Sequence, residues 1–304
     1  MRRLLLILAG VALLCAGFGL FITRPIQLSQ PDIAALSTGD ALRGENVFWA
    51  GGCASCHATP KSEGDAHLVL AGGLELKTDF GIFVAPNISS SPEHGIGAWP
   101  IGDFASAMLK GVSPDGAHYY PAFPYGSYAR MTGQDIADLY AFMKTLPASE
   151  NVPAGNQLNF PFNIRAAVGG WKLLYLNAKP RVNVDTKDVI LARGQYLVEG
   201  SGHCGECHTP RDFLGGFKSD SWLAGAANPD GEGKIPNITT GSKHVGAWSA
   251  SEIVAYLETG FTPDFDSVGG SMVSVQKNLS HLPKADLEAI AAYLKAVPAH
   301  PDSP

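Results

Sequence analysis

Gly202-His203-Cys204-Gly205-Glu206-Cys207-His208 decides how this chain is read, together with an earlier stretch of the same kind, Gly52-Cys53-Ala54-Ser55-Cys56-His57. Two cysteines separated by two residues and followed at once by histidine form the attachment signature of a c-type haem. Both thiols can add to the porphyrin vinyls, and the imidazole can take the iron. A zinc site would need four ligands at each place, and a thioredoxin-like redox pair has no use for a histidine directly after its second cysteine. The two copies nominate Cys53, Cys56, Cys204 and Cys207 as thioether anchors, and His57 and His208 as iron ligands, of two covalently bound haem c groups.

Working outward, the chain repeats one pattern. With Cys53 placed over Cys204, Arg43-Gly44 falls on Arg193-Gly194 and Ala85-Pro86-Asn87-Ile88 on Ile235-Pro236-Asn237-Ile238. Gly97-Ala98-Trp99 falls on Gly246-Ala247-Trp248, and Gly111 on Gly260, all within one or two residues. A first helix leads into the cysteines of each copy: Ser37 and Asp40 have capping-box spacing ahead of Leu42, Val47 and Phe48, and Ile190, Leu191, Leu197 and Val198 serve the second copy. Middle helices run from Asp103 to Lys110 and from Ser251 to Thr259, each stopped by glycine. The last helix is capped by Thr132 and carries Ile136, Leu139, Tyr140, Met143 and Leu146 as far as Pro147; Pro283, Leu287, Ile290, Leu294 and Val297 repeat it as far as Pro298. No convincing run of alternating residues appears in either copy, so the expected fold class is all-α.

The 304 residues suit two domains of ordinary size. A net charge of -6 with a pI near 5.8 provides no basic surface, which excludes nucleic acid as a partner. Of the five cysteines only Cys15 lies outside the two motifs, so disulfides do not staple the fold. Cys15 lies within Leu4 to Ile22, an uncharged and mostly apolar run preceded by Arg2 and Arg3. As a helix this run rises about 28 Å, enough to cross a bilayer. Positive charge ahead of it predicts a cytoplasmic amino terminus and export of the rest, which suits haem attachment outside the cytoplasm. No small-x-small cleavage pattern precedes Thr23-Arg24-Pro25, so residues 1–25 read as a retained signal anchor in the inner membrane rather than a cleaved signal.

Small helices, CxxCH near the start and a methionine ahead of the final helix resemble class I cytochrome c, over about residues 37 to 147 and 185 to 298. The resemblance implies two tandem class I cytochrome c domains, 37–147 and 185–304, behind a single transmembrane helix. In that fold the first and last helices cross closely, which would bring Gly44 near Phe142 and Gly194 near Tyr293. The connecting residues 148–184 include Asn159-Phe160-Pro161-Phe162-Asn163-Ile164-Arg165 and Gly170-Trp171-Lys172-Leu173-Leu174-Tyr175, too aromatic for a flexible tether, and are expected to pack along both domains.

Each iron needs a ligand opposite its histidine, usually methionine in an electron carrier. Met272, 12 residues after Gly260, is the candidate in the second copy, whereas the residue 12 after Gly111 is Phe123, which cannot bind iron. Met131, Met108 and His118 are the substitutes, with an open iron as a further alternative. Met131 is preferred because it belongs to the loop that must fold across the distal face. Asn87, Trp99, Asn237 and Trp248 are expected at the haem edges, with amide and indole N–H groups available to propionates.

Ala85-Pro86-Asn87-Ile88, Gly95-Ile96-Gly97-Ala98-Trp99, Tyr120-Pro121-Ala122-Phe123-Pro124-Tyr125 and His203-Cys204-Gly205-Glu206-Cys207-His208-Thr209-Pro210-Arg211 resemble the membrane-anchored multihaem cytochrome subunits of periplasmic alcohol, gluconate and aldehyde dehydrogenases. Many of those carry three haems, whereas this chain has two motifs. The resemblance implies electron transfer from a periplasmic dehydrogenase towards quinone, a terminal oxidase or a soluble cytochrome, with no substrate transformed by the chain itself. The alternative is a dihaem, peroxidase-like enzyme with an open or displaceable ligand at the first haem.

Overall fold

In this computed structural model the described residues are 1–228, 231 and 233–302. Pro229, Asp230, Glu232, Ser303 and Pro304 lie outside them, and with them the expected domain end at residue 304. The first half contains helices α1 (Arg2–Ile22), α2 (Gln30–Ala34), α3 (Ala41–Gly51) and α4 (Cys53–His57), strands β1 (Glu75–Thr78) and β2 (Gly81–Val84), and helices α5 (Ile101–Lys110), α6 (Tyr125–Tyr128) and α7 (Gly133–Met143). A connecting segment holds β3 (Gln157–Leu158) and α8 (Ala167–Tyr175). The second half contains α9 (Val189–Tyr196), a π turn (Leu197–Ser201), α10 (Gly205–His208), β4 (Ala226–Ala227), β5 (Lys234–Ile235), α11 (Ala250–Thr259), α12 (Met272–Leu279) and α13 (Lys284–Ala296).

Each half builds its own buried cluster. Phe48, Ala54, Leu70, Phe104, Met108 and Ile136 anchor the first lobe, and Leu197, Val198, Trp222, Ile253, Leu287 and Ile290 the second. In both lobes the helix before the cysteines crosses the last helix, α3 on α7 and α9 on α13. Glycine permits the crossing: a Cβ on Gly44 would lie 1.9 Å from the Asp138 carbonyl oxygen and 2.9 Å from Phe142 Cβ, and one on Gly194 would lie 2.0 Å from Ala289 O and 2.7 Å from Tyr293 Cβ. The neighbouring arginine locks the same crossing with a two-pronged ion pair. Arg43 donates through Nε and Nη2 to Asp138 at 2.7 and 2.9 Å, and Arg193 donates likewise to Asp286 at 2.8 Å through each nitrogen.

Burial alone would lift the Asp138 carboxyl, but hydrogen bonds from Arg43, the Asp40 amide and Gln134 overcome it and carry Asp138 below the usual carboxylate range. A carboxyl depressed in the folded state stabilises fully above its unfolded value, about 3.9, and that contribution is lost as pH falls through the depressed folded value. Asp138→Asn should therefore flatten the acid limb of the first lobe's melting temperature, followed by circular dichroism from about pH 5 to about pH 2. An acid limb identical to that of the parent protein would show that the pair contributes nothing there.

Helix ends follow local chemistry. Asp40 alone caps α3, accepting from the amides of Leu42 and Arg43 at 2.8 and 3.2 Å, so the expected capping box with Ser37 is not formed. Thr132 caps α7 through the Asp135 amide, and Gly111 and Gly260 close α5 and α11.

The all-α expectation needs one correction. The chain is mostly helical, but β1, β2 and β3 form a small antiparallel sheet, and β4 pairs with β5 at the equivalent place in the second lobe. These strands are two to four residues long, too short to show a period of two. β3 belongs to the connecting segment, so its pairing with β2 ties that segment to the first lobe. Lys172 of α8 strengthens the tie by donating from Nζ to the carbonyls of Lys110 and Gly111 at 2.7 and 2.6 Å, while Trp171 donates to Leu214 O of the second lobe at 3.1 Å.

One difference between the lobes sits beside the second motif. Ten positions separate Arg43 from Cys53, but eleven separate Arg193 from Cys204. α3 runs unbroken to Gly51, whereas α9 passes into the π turn, which takes up the additional residue within a continuous helical path.

Candidate haem sites and their junction

The sites rise from the short helices that carry the cysteines. His57 Nδ1 donates to the Pro86 carbonyl at 2.9 Å and His208 Nδ1 to the Pro236 carbonyl at 2.8 Å. That bond fixes the tautomer and leaves Nε2 with its lone pair for iron. Burial lowers both imidazoles below the ordinary histidine value, against the opposing effect of the proline carbonyls, so each is held in the neutral form a metal requires. Burial likewise pushes the Cys53 and Cys204 thiols up to about 12, and raises Cys56. None of the four motif cysteines is in a disulfide.

Met131 is buried in the same cluster as Phe48, Ala54 and Leu70, as is Met108 from α5. Met272 opens α12 and packs against the second lobe's core. His118 lies elsewhere: its Nε2 donates to the carbonyl of Thr23, where the chain leaves α1.

The four residues expected at the haem edges separate into two kinds. Asn87 donates to the Ser149 and Asn151 carbonyls and accepts from the Ser89 amide; Asn237 donates to His300 O and accepts from Thr239. These amides pin the residues following each last helix back onto the lobe. The indole N–H groups of Trp99 and Trp248 make no hydrogen bond among the described residues, although both rings lie against the cores. Neutral imidazoles with Nε2 open, paired thiols, an apolar enclosure and unengaged indole donors fit a haem in each lobe.

Residues 41–147 match the family model described as cytochrome c. A diheme cytochrome c-type protein of Cereibacter sphaeroides is 54% identical over 98% of this chain and 99% of its own length. This chain belongs to the cytochrome c family. The cytochrome is also 38% identical to the fructose dehydrogenase cytochrome subunit of Gluconobacter japonicus, over 91% of this chain and 56% of that protein. It is 36% identical to the cytochrome c subunit of the quinone alcohol dehydrogenase of Gluconobacter oxydans, over 86% of this chain and 55% of that one. It thus spans about half the length of these two dehydrogenase subunits. Covalent haem c and electron transfer follow from this membership.

Both motifs of the cytochrome lie at the lobe boundary, which their spacing did not reveal. Ser55, between the first pair of cysteines, accepts from Asn278 of α12 at 2.8 Å. Glu206, between the second pair, accepts from the Ser127 hydroxyl of α6 at 2.8 Å, and His203 Nε2 donates to Gly51 O at 3.1 Å. Trp49 stacks on His281 at 4.0 Å between ring centres.

A buried polar cluster flanks this junction. Glu199, in the π turn, accepts from the amides of Arg181 and Val182 at 2.7 and 3.1 Å, from Gln195 at 3.0 Å and from the Tyr293 hydroxyl at 2.5 Å. Arg130 of the first lobe, next to Met131, approaches it to 3.7 Å; the two side chains are 7% and 1% exposed. Burial pulls Arg130 down to about 10. A carboxylate directly after the apolar pair Leu197-Val198 was the sequence signal for this cluster, but its partners lie too far along the chain to be paired with it by pattern.

Proposed function

We propose that the cytochrome is a dihaem electron-transfer protein with two tandem class I haem domains, 37–147 and 185–304, held in the periplasm by α1 as an inner-membrane anchor. It takes electrons from a partner dehydrogenase and passes them towards quinone, a terminal oxidase or a soluble cytochrome. α1 is long and apolar enough to cross a bilayer, and it buries nothing against the lobes. The relatives named as dehydrogenase cytochrome subunits support the donor class.

The observation that carries this reading is that each CxxCH segment reaches across the lobe boundary, Ser55 to Asn278 and Glu206 to Ser127, while the residues just ahead of the two motifs, His203 and Gly51, touch. A chain that only stored haem would not need its attachment segments at a shared boundary, whereas a relay does. Bound haem supplies one-electron ferric–ferrous chemistry; the chain sets position and potential through ligands, burial and hydrogen bonds. Cys53, Cys56, Cys204 and Cys207 would hold the two groups, and His57 and His208 would each supply an imidazole to iron. Met131 and Met272 would supply the second ligands, and the indole N–H groups of Trp99 and Trp248 would serve the propionates. Met131 is favoured over His118 because it shares the buried cluster of the first motif's Ala54, while His118 is held by Thr23.

Denatured, acid-extracted protein should retain two equivalents of covalent haem, and one or none would overturn the assignment. Met131→Ala should turn only the first haem high-spin and Met272→Ala only the second, as read by visible and paramagnetic-resonance spectra. A first haem unchanged by Met131→Ala would transfer that ligand to His118. Solubilised membranes should yield a dehydrogenase together with the haem-staining chain.

A further inference from the structure

An open pocket of about 300 Å³ lies where α1 ends, lined by Leu20, Thr23, Arg24, His118 and Arg165 among others. Its walls are fixed to the first lobe. His118 donates to Thr23 O at 2.9 Å, Gln27 donates to Ser113 O at 3.1 Å, and the Leu28 amide donates to Ser106 Oγ at 3.1 Å. Gly169 of α8 backs onto Thr23 so closely that a Cβ would stand 2.2 Å from its carbonyl oxygen. With α1 in the bilayer, the pocket is held at the outer membrane surface and not left to swing on a tether.

Its chemistry is unusual for a surface hollow. Two guanidinium groups stand at it, Arg24 stacked on Phe21 at 4.3 Å and Arg165 on Tyr120 at 5.5 Å. Neither pairs with a carboxylate among the described residues. The rest of the lining is predominantly apolar. With Nε2–H committed to Thr23, His118 Nδ1 is an acceptor, and it is buried without a partner, an expensive state for a polar atom. The occupant that answers all of these features carries an anion, an adjoining hydroxyl and an apolar tail.

We infer that the pocket binds one anionic phospholipid of the phosphatidylglycerol type, its phosphate at Arg24 and Arg165, its head-group hydroxyl donating to His118 Nδ1, and its acyl chains lying along Leu20 of α1. The inference rests on the anchored reading of α1 and on Met131, not His118, as the first haem's ligand. Bidentate guanidinium–phosphate geometry explains why arginine rather than lysine stands at both places.

Native mass spectrometry of the full-length holoprotein, released from nanodiscs of mixed phosphatidylglycerol and phosphatidylcholine, tests it. One phosphatidylglycerol per chain should survive activation that strips all phosphatidylcholine. Arg24→Gln combined with Arg165→Gln should lower that retention at least tenfold, and His118→Phe should lower it while haem content stays at the parent level. Equal retention of both lipids, retention unchanged in the double variant, or displacement of the lipid by a ubiquinone homologue added in excess would overturn the proposal. Alkaline carbonate washing separates the two readings: release of the chain from membranes sinks the anchor itself, whereas a chain that stays in the membrane without selective lipid sinks only the pocket.

Discussion

Gly44→Ala and Gly194→Ala should each melt the lobe that carries them and strip it of stable haem. A single methyl at either position would be driven to 1.9 or 2.0 Å from a backbone carbonyl oxygen, with the carbonyl carbon and a second helix's Cβ also inside 3 Å. No rotamer change relieves a contact with backbone, so the helices must separate. Separation pulls the arginine from its aspartate, Arg43 from Asp138 or Arg193 from Asp286. Overpacked cores lose about 1–3 kcal/mol when side chains can shift, and a clash with backbone at a helix crossing belongs at or above the top of that range. Circular dichroism should show loss of one cooperative transition, and haem quantitation a fall from two equivalents to about one. Normal melting of the Gly44 variant would show that α3 and α7 can repack, and that the close approach is dispensable.

Glu199→Ala should be the most damaging change away from the haem ligands. It removes the acceptor for four donors and leaves Arg130 buried without its paired carboxylate, with its Nη2 already lacking a partner and the Nε of nearby Arg181 in the same condition. Removing one member of a buried charged pair costs about 3–5 kcal/mol, because the other charge stays behind without compensation. Glu199→Gln keeps the shape and an acceptor oxygen, so its loss should be nearer the about 1–3 kcal/mol of an unsatisfied polar group. The lobes should also loosen at their boundary, which hydrogen exchange at Arg130 and Val182 would report. Equal stability of the alanine and glutamine variants would remove the charge from the argument.

The parts of this molecule that a short local pattern specifies were legible in the sequence. CxxCH nominates its cysteines and histidine without further context, Thr132 announces α7, and the paired glycines mark both helix crossings once the resemblance to class I cytochrome c supplies the geometry. In the aromatic connecting segment, Trp171 and Lys172 bond to opposite lobes. What escaped notice depends on contacts between distant residues or on very short elements. β4 and β5 have two residues each, and the carbonyls that Asn87 and Asn237 hold lie more than 60 positions along the chain. The π turn was present as a mismatch of one in the spacing between arginine and cysteine, a discrepancy easily absorbed when two copies are aligned loosely.

That single residue has a consequence for assembly. By placing a carboxylate on one lobe to meet an arginine on the other, the π turn makes the boundary a head-to-tail joint between unlike surfaces, not a self-complementary one. Identical units joined in that way would keep adding and grow into filaments. Among the described residues the π turn occurs only in the second lobe and its arginine partner, Arg130, comes from the first, so the pairing has a direction and is made once along the chain.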